Sequence, residues 1–116
     1  MAMAADRVGA ARAAAASGFP SAAVSSAYYA MLYAARAALS EEDRYAKTHR
    51  GTWNLFGALF IDTQRFDRDL FEQARKTQRT REDADYEAVP AAPEQSEQIV
   101  ALAERFLAAV RDLFSE

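Results

Sequence analysis

The chain carries a single histidine, and cationic side chains flank it in the stretch R-Y-A-K-T-H-R-G: Arg44, Lys47, His49 and Arg50. Four residues separate Arg44 from His49. This set of residue types suits an anion. Arginine and lysine supply charge and donors to a phosphate, and an imidazole can exchange a proton near neutral pH. If a helix opens at His49, the unpaired backbone N–H groups of its positive end add to the same field. Beside a phosphodiester, His49 could take the proton from a ribose 2′-hydroxyl while Arg44 stabilises the charge developing at phosphorus. That is a metal-free scheme for cleaving RNA. The plainer alternative is the polar start of a helix, with His49 bonded to a backbone carbonyl or to water.

A second charged group follows. Arg75, Lys76, Arg79 and Arg81 precede Glu82, Asp83, Asp85, Tyr86 and Glu87. Arginine and carboxylate four residues apart commonly make nothing more than a solvated helix face. The functional expectation is that Arg81 and Tyr86 lie beside the helix that begins at His49, where they extend a phosphate pocket and stack a base.

Other chemistries find no support. The sequence lacks cysteine, which removes disulfides, thiolate metal sites and cysteine nucleophiles together. It contains no phosphate-cradling glycine loop, no H-E-x-x-H and no Glu-x-x-His pair. Ser25 and Ser26 fall inside a helical pattern rather than on a strained turn. No metal and no cofactor is expected. The net charge of −3 argues against broad adhesion to nucleic acid, whereas local basic patches suit a small oriented anion. The N-terminus carries Asp6, Arg7 and Arg12, unlike a secretory leader, and no long apolar run offers a membrane span. A cytoplasmic protein without membrane contact is expected.

The elements that must position these residues are helical. Of the 116 residues about half are apolar, many of them alanine, and there is no strand-like alternation. A first helix is expected from Ala2 to Ser17, stopped by Gly18. The second opens at Pro20 or Ser21 and runs to Leu39. Its stripe is Tyr28, Leu32, Ala35 and Leu39, and a neighbouring one holds Tyr29, Tyr33 and Arg36. From Ala27 to Leu39 only Arg36 is charged, so this helix should be the most enclosed, and Tyr29 and Tyr33 are placed to reach the site or a dimer seam. A polar loop from Ser40 to Lys47 leads to a third helix, from Thr48 or His49 to Ile61, with Trp53, Phe56 and Phe60 inward. The fourth starts at an Asp67 cap and reaches Asp85. Its inner face of Leu70, Ala74, Thr77, Arg81 and Ala84 turns polar, which invites a ligand or partner. Y-E-A-V-P-A-A-P breaks it. The fifth runs from Glu94 to Phe114, with Ile99, Leu102, Phe106, Val110 and Leu113 inward. One all-α domain over residues 1–116, an antiparallel bundle of about five helices, is the expected architecture.

S-A-Y-Y-A-M-L-Y-A-A-R-A-A-L, then K-T-H-R-G-T-W-N-L-F-G-A-L-F, then R-T-R-E-D-A-D-Y resembles the HEPN domains of prokaryotes, specifically their small stand-alone branch. The resemblance covers nearly the whole chain in the same order. It implies a helical bundle that forms a homodimer and acts in a toxin–antitoxin-like module, often beside a small nucleotidyltransferase. Catalytic members of that superfamily are metal-independent endoribonucleases with arginine and histidine separated by four to six residues, a spacing that Arg44 and His49 meet. The expectation is a module that binds RNA or nucleotide phosphate through Arg44, Lys47, His49 and Arg50, with Arg81 and Tyr86 extending the pocket. The rival is an active endoribonuclease using Arg44 and His49.

Overall fold

Helix boundaries in this chain are set by small chemical devices at each end. The computed structural model describes residues 1–86 and 89–115. Helix α1 (Ala2–Ala16) stops at Gly18, whose φ of 82° a side chain would oppose. There Gly18 N–H donates to Ala15 O at 3.3 Å and Phe19 N–H to Ala14 O at 2.8 Å, which satisfies carbonyls the helix would leave open. Helix α2 (Pro20–Glu41) begins with proline in its first turn, where no backbone N–H is needed. It runs two residues past Leu39 and ends in a left-handed Asp43, φ 57°. Arg44 N–H then donates back to Leu39 O at 2.9 Å. The loop expected from Ser40 therefore starts later, at Glu42.

Helix α3 (His49–Phe56) is capped by Thr48, whose hydroxyl accepts from Gly51 N–H at 2.9 Å. Gly51 is needed for this: a Cβ there would stand 2.8 Å from Thr48 Oγ1. The K-T-H-R-G stretch thus has a local structural cause. The helix does not stay α-helical to Ile61 as its pattern suggests. Over Gly57–Ile61 it widens to i→i+5 bonding, with Asp62 N–H donating to Gly57 O at 2.9 Å. The wide turn brings the adjacent residues Phe60 and Ile61 both into the core, and Gly57 lies against the Phe71 ring.

Helix α4 (Arg68–Tyr86) is capped by Asp67, which accepts from Asp69 N–H at 2.9 Å. Its buried stripe is Phe71, Ala74, Thr77 and Arg81, with Leu70 and Ala84 half-buried, so the inner face does turn polar. Glu87 and Ala88, at the expected break, lie outside the described residues. Helix α5 (Pro93–Leu113) buries Val100, Leu102, Ala103, Phe106, Leu107 and Val110, while Ile99 and Leu113 are half-buried.

Helix α2 is the hub: it packs on α1, α3, α4 and α5, and eleven of its 22 residues are buried. Opposite it, Trp53 sits among Phe56, Phe71 and Phe106, with the Phe56 and Phe71 rings stacked at 5.8 Å. Aromatic area on this scale supplies much of the burial that an alanine-rich chain otherwise lacks. Among the described residues the result is an all-α bundle of five helices. Among the described residues no helix is long and apolar enough to cross a membrane.

Gly51→Ala should destabilise the protein, the reverse of the roughly 0.5–1 kcal/mol gain that glycine-to-alanine normally brings inside a helix. Thr48→Ala should cost about 1 kcal/mol, the usual worth of an N-cap. In urea unfolding the double substitution should cost little more than the worse single one, because both remove one cap. Full additivity would contradict the shared cap.

Candidate functional site

Backbone capping at the start of α3 places His49 in the first turn, and α2 fixes it from below. Arg36 Nε donates to Thr52 Oγ1 at 3.2 Å, and that hydroxyl donates to Thr48 O at 2.8 Å. Thr52 is fully buried, so both of its bonds are needed. The one charge between Ala27 and Leu39 thereby pins the helix that carries the histidine.

His49 lies on the aromatic floor of α2. Its Nδ1 is 3.2 Å from Tyr28 Oη, and its ring meets Tyr29 edge-on at 5.7 Å between centroids. Tyr28 is completely buried, and its oxygen also accepts from Trp53 Nε1 at 3.1 Å. Burial raises the Tyr28 phenol above its ordinary range, so it stays a hydroxyl.

From the other side comes Arg81, only 8 % exposed. Its guanidinium lies 5.2 Å from the centroid of Tyr29, 5.7 Å from Tyr28 and 5.8 Å from Tyr86. Nη1 donates to Tyr29 Oη at 3.3 Å and to Asp85 Oδ2 at 3.2 Å. Its Nε is the only buried side-chain nitrogen or oxygen among the described residues with no partner. His49 Nε2 has no protein partner either among the described residues, and it is not enclosed, so solvent or a ligand reaches it.

The cations that act on His49 are Arg36 and Arg81. Partial burial lowers its pKa from the ordinary 6.5, and those two guanidinium charges lower it further against a small opposing pull from Glu82. Neutral imidazole is the form at pH 7.

The sequence-predicted residues divide accordingly. His49 and Arg81 come together, and Tyr86, itself 75 % exposed, caps Arg81 from outside. Arg44 does not join them. Its amide is tied to Leu39, eleven residues along α2 from Tyr28, a rise of roughly 16 Å. Its side chain is exposed and makes no hydrogen bond or ion pair among the described residues. Lys47 is exposed as well. Arg50 is exposed and faces an open groove of about 730 Å³ between α3 and α4, shared with Arg75, Lys76, Arg79 and Glu82. In that groove Arg75 is paired with Glu72 and Arg79 with Asp83. Of the two inner-helix tyrosines flagged as near the site, Tyr29 is in it. Tyr33 lies 6.0 Å from Tyr29 and, like Tyr29, faces Arg7.

Sequence reasoning missed Tyr28 and Trp53, which read as core, and gave Arg36 no role at the site. The available signal is Arg36 itself, the one charge in the apolar run from Ala27 to Leu39, which must find a polar partner. Among the described residues no group of three or more histidine or carboxylate side chains is gathered to hold a metal ion.

A depressed histidine pKa has a signed consequence for stability. The unfolded chain takes up its imidazole proton near 6.5, the folded chain only at lower pH. Stability from this group is fully present above 6.5 and is lost as pH falls from there toward the folded value. Urea unfolding between about pH 7.5 and about pH 5.5 should show a loss of stability that is smaller in His49→Gln. Equal losses in the two proteins would contradict the lowered pKa.

The HEPN domain family matches residues 1–113. Over 66 residues the chain is 38 % identical to a protein of Methanocaldococcus jannaschii named "Putative toxin MJ0142". The shared stretch covers 57 % of this chain and 45 % of that protein, so less than half of the relative is represented. No solved structure gives a significant match. With an all-α bundle, a family match over almost its whole length and a relative named as a toxin, the chain belongs to the HEPN domain family.

Proposed function

We propose that this chain is a phosphate-binding HEPN module of a toxin–antitoxin-like system, with RNA or a nucleotide as its ligand. The observation that carries the reading is the pairing of a buried Arg81, whose Nε lacks an acceptor, with a His49 whose Nε2 is open. A buried guanidinium nitrogen without a partner is costly, and an anionic oxygen reaching it removes that cost. Tyr29 and Asp85 both bond Nη1 of Arg81, which leaves Nη2, without a protein partner among the described residues, for a ligand. Arg36 adds a second guanidinium, of which only Nε is used internally.

The groove beside Arg50 extends the same surface. Its ion pairs are exposed and therefore weak, so a phosphate can compete for Arg75 and Arg79 at little cost. Glu82 lines the groove and also acts on His49, which makes the two features neighbours. Tyr86 is exposed where a base could stack over it. In this reading a second copy of the chain and a nucleotidyltransferase, both implied by the family resemblance, are the protein partners.

Metal-independent RNA cleavage is the rival reading, supported by a histidine that two arginines act on. Within one protomer its arginine would be Arg81 or Arg36 in place of Arg44.

Fluorescence anisotropy with a short labelled single-stranded RNA tests the first reading. Arg81→Gln and His49→Ala should each weaken binding at least about tenfold, or about 1.4 kcal/mol. Arg50→Gln should weaken it less and flatten its salt dependence by about 0.7 in logarithmic slope per lost contact. Arg44→Ala should leave affinity within about twofold. Equal affinity for the Arg81 variant, or a large loss on Arg44→Ala, would contradict the site. RNA cleavage in EDTA by the unmodified protein, abolished in His49→Ala, would establish the rival.

A further inference from the structure

A neutral imidazole has one donor nitrogen and one acceptor nitrogen, and the partner of the first decides the chemistry of the second. Here that partner is Tyr28 Oη, 3.2 Å from His49 Nδ1. The hydroxyl already accepts from Trp53 Nε1 at 3.1 Å, and an indole nitrogen can only donate. Tyr28 is fully buried, and its oxygen has no other partner among the described residues. Its own hydrogen therefore has one place to go, the lone pair of His49 Nδ1. The opposite arrangement, with Nδ1 protonated, would make Tyr28 accept twice and leave a buried hydroxyl hydrogen with no acceptor.

We propose that Trp53 and Tyr28 form a hydrogen-bond relay, indole N–H to hydroxyl to imidazole, that fixes neutral His49 in its Nε2–H form. His49 is then a hydrogen-bond donor at its open nitrogen. It offers a proton to an anionic oxygen and has no lone pair there with which to abstract one. Tyr28 and Trp53 are positioning residues: they act on the ligand only through His49. The relay stands on the geometry alone. Its consequence, that His49 binds phosphate oxygen and does not serve as the base for a ribose hydroxyl, rests on the phosphate reading above.

The other groups facing His49 favour the neutral form on balance. From α2 these are Tyr29 and Arg36, and from α4 Arg81 and Glu82. Burial, and after it two guanidinium charges that outweigh the one carboxylate, disfavours protonation, so the relay keeps its direction.

The chain holds one histidine, so its side-chain nitrogen signals need no assignment. Long-range proton–nitrogen correlation spectra of the ¹⁵N-labelled full chain at neutral pH should show Nε2 protonated and Nδ1 bare, without the mixture of forms that free imidazole gives. Tyr28→Phe should introduce the second form and raise the His49 titration midpoint toward 6.5. That direction is diagnostic. A phenylalanine is less polar than tyrosine, so a purely structural role would leave the midpoint unchanged or push it lower. A proton found on Nδ1 in the unmodified protein overturns the relay, whatever the variant does. So does a folded Tyr28→Phe protein whose midpoint is unchanged or lower. Titration of inorganic phosphate and of adenosine monophosphate separates the two claims. If the ligand-free spectra are as expected and neither probe moves them, the relay is supported and the phosphate reading fails.

Discussion

A guanidinium enclosed among tyrosine rings is the interaction on which the candidate site depends. Arg81 brings a permanent charge into the seam between α2 and α4, and the bundle accommodates it with ring faces, one phenol oxygen and one carboxylate. Burying a charge is expensive unless it is fully bonded, and here it is not, because Nε has no acceptor. A bundle built only for stability would be better served by an apolar residue at this position on the stripe of Phe71, Ala74 and Thr77. The retained charge bonds the Tyr29 hydroxyl and adds to burial and Arg36 in lowering the His49 pKa, two effects that a leucine could not supply.

The second constraint is mechanical. Arg36, Thr52, Thr48 and Gly51 form one chain of hydrogen bonds that ties the start of α3 to the middle of α2. Each member has a local reason for its identity: the threonine caps, the glycine clears space for the cap, and the arginine holds the second threonine. The lone histidine is the residue this clamp delivers onto the tyrosines.

Much of the fold was legible in the sequence because helices announce themselves by repeat and punctuation. Gly18, Pro20, Asp67 and Pro93 mark real ends, and the Tyr28–Leu39 stripe is the centre of the core. The wide turn at Gly57–Ile61 was not legible, since its residues fit an α-helical repeat equally well. The surroundings of His49 are less legible. Residues close to His49 in the chain suggest themselves first, yet adjacent positions on a helix point in different directions, and the Arg44 amide closes the end of the preceding helix. The residues that do surround His49 come from positions 28–36 and 81–82, distances along the chain that only packing can close. Tyr28 and Trp53 read as filling because aromatic residues on an inward stripe usually are; their polar atoms give no signal until paired with each other.

The central claim is that Arg81 and His49 together receive an anionic oxygen. It is tested most directly by following the Arg81 Nε–H and His49 Nε2 resonances of the labelled protein while a short single-stranded RNA is added. The account predicts that these two signals shift together, saturate at the same RNA concentration, and move more than any signal from Arg44 or Lys47. Movement confined to the loop around Arg44, with Arg81 and His49 unchanged at saturation, would contradict it.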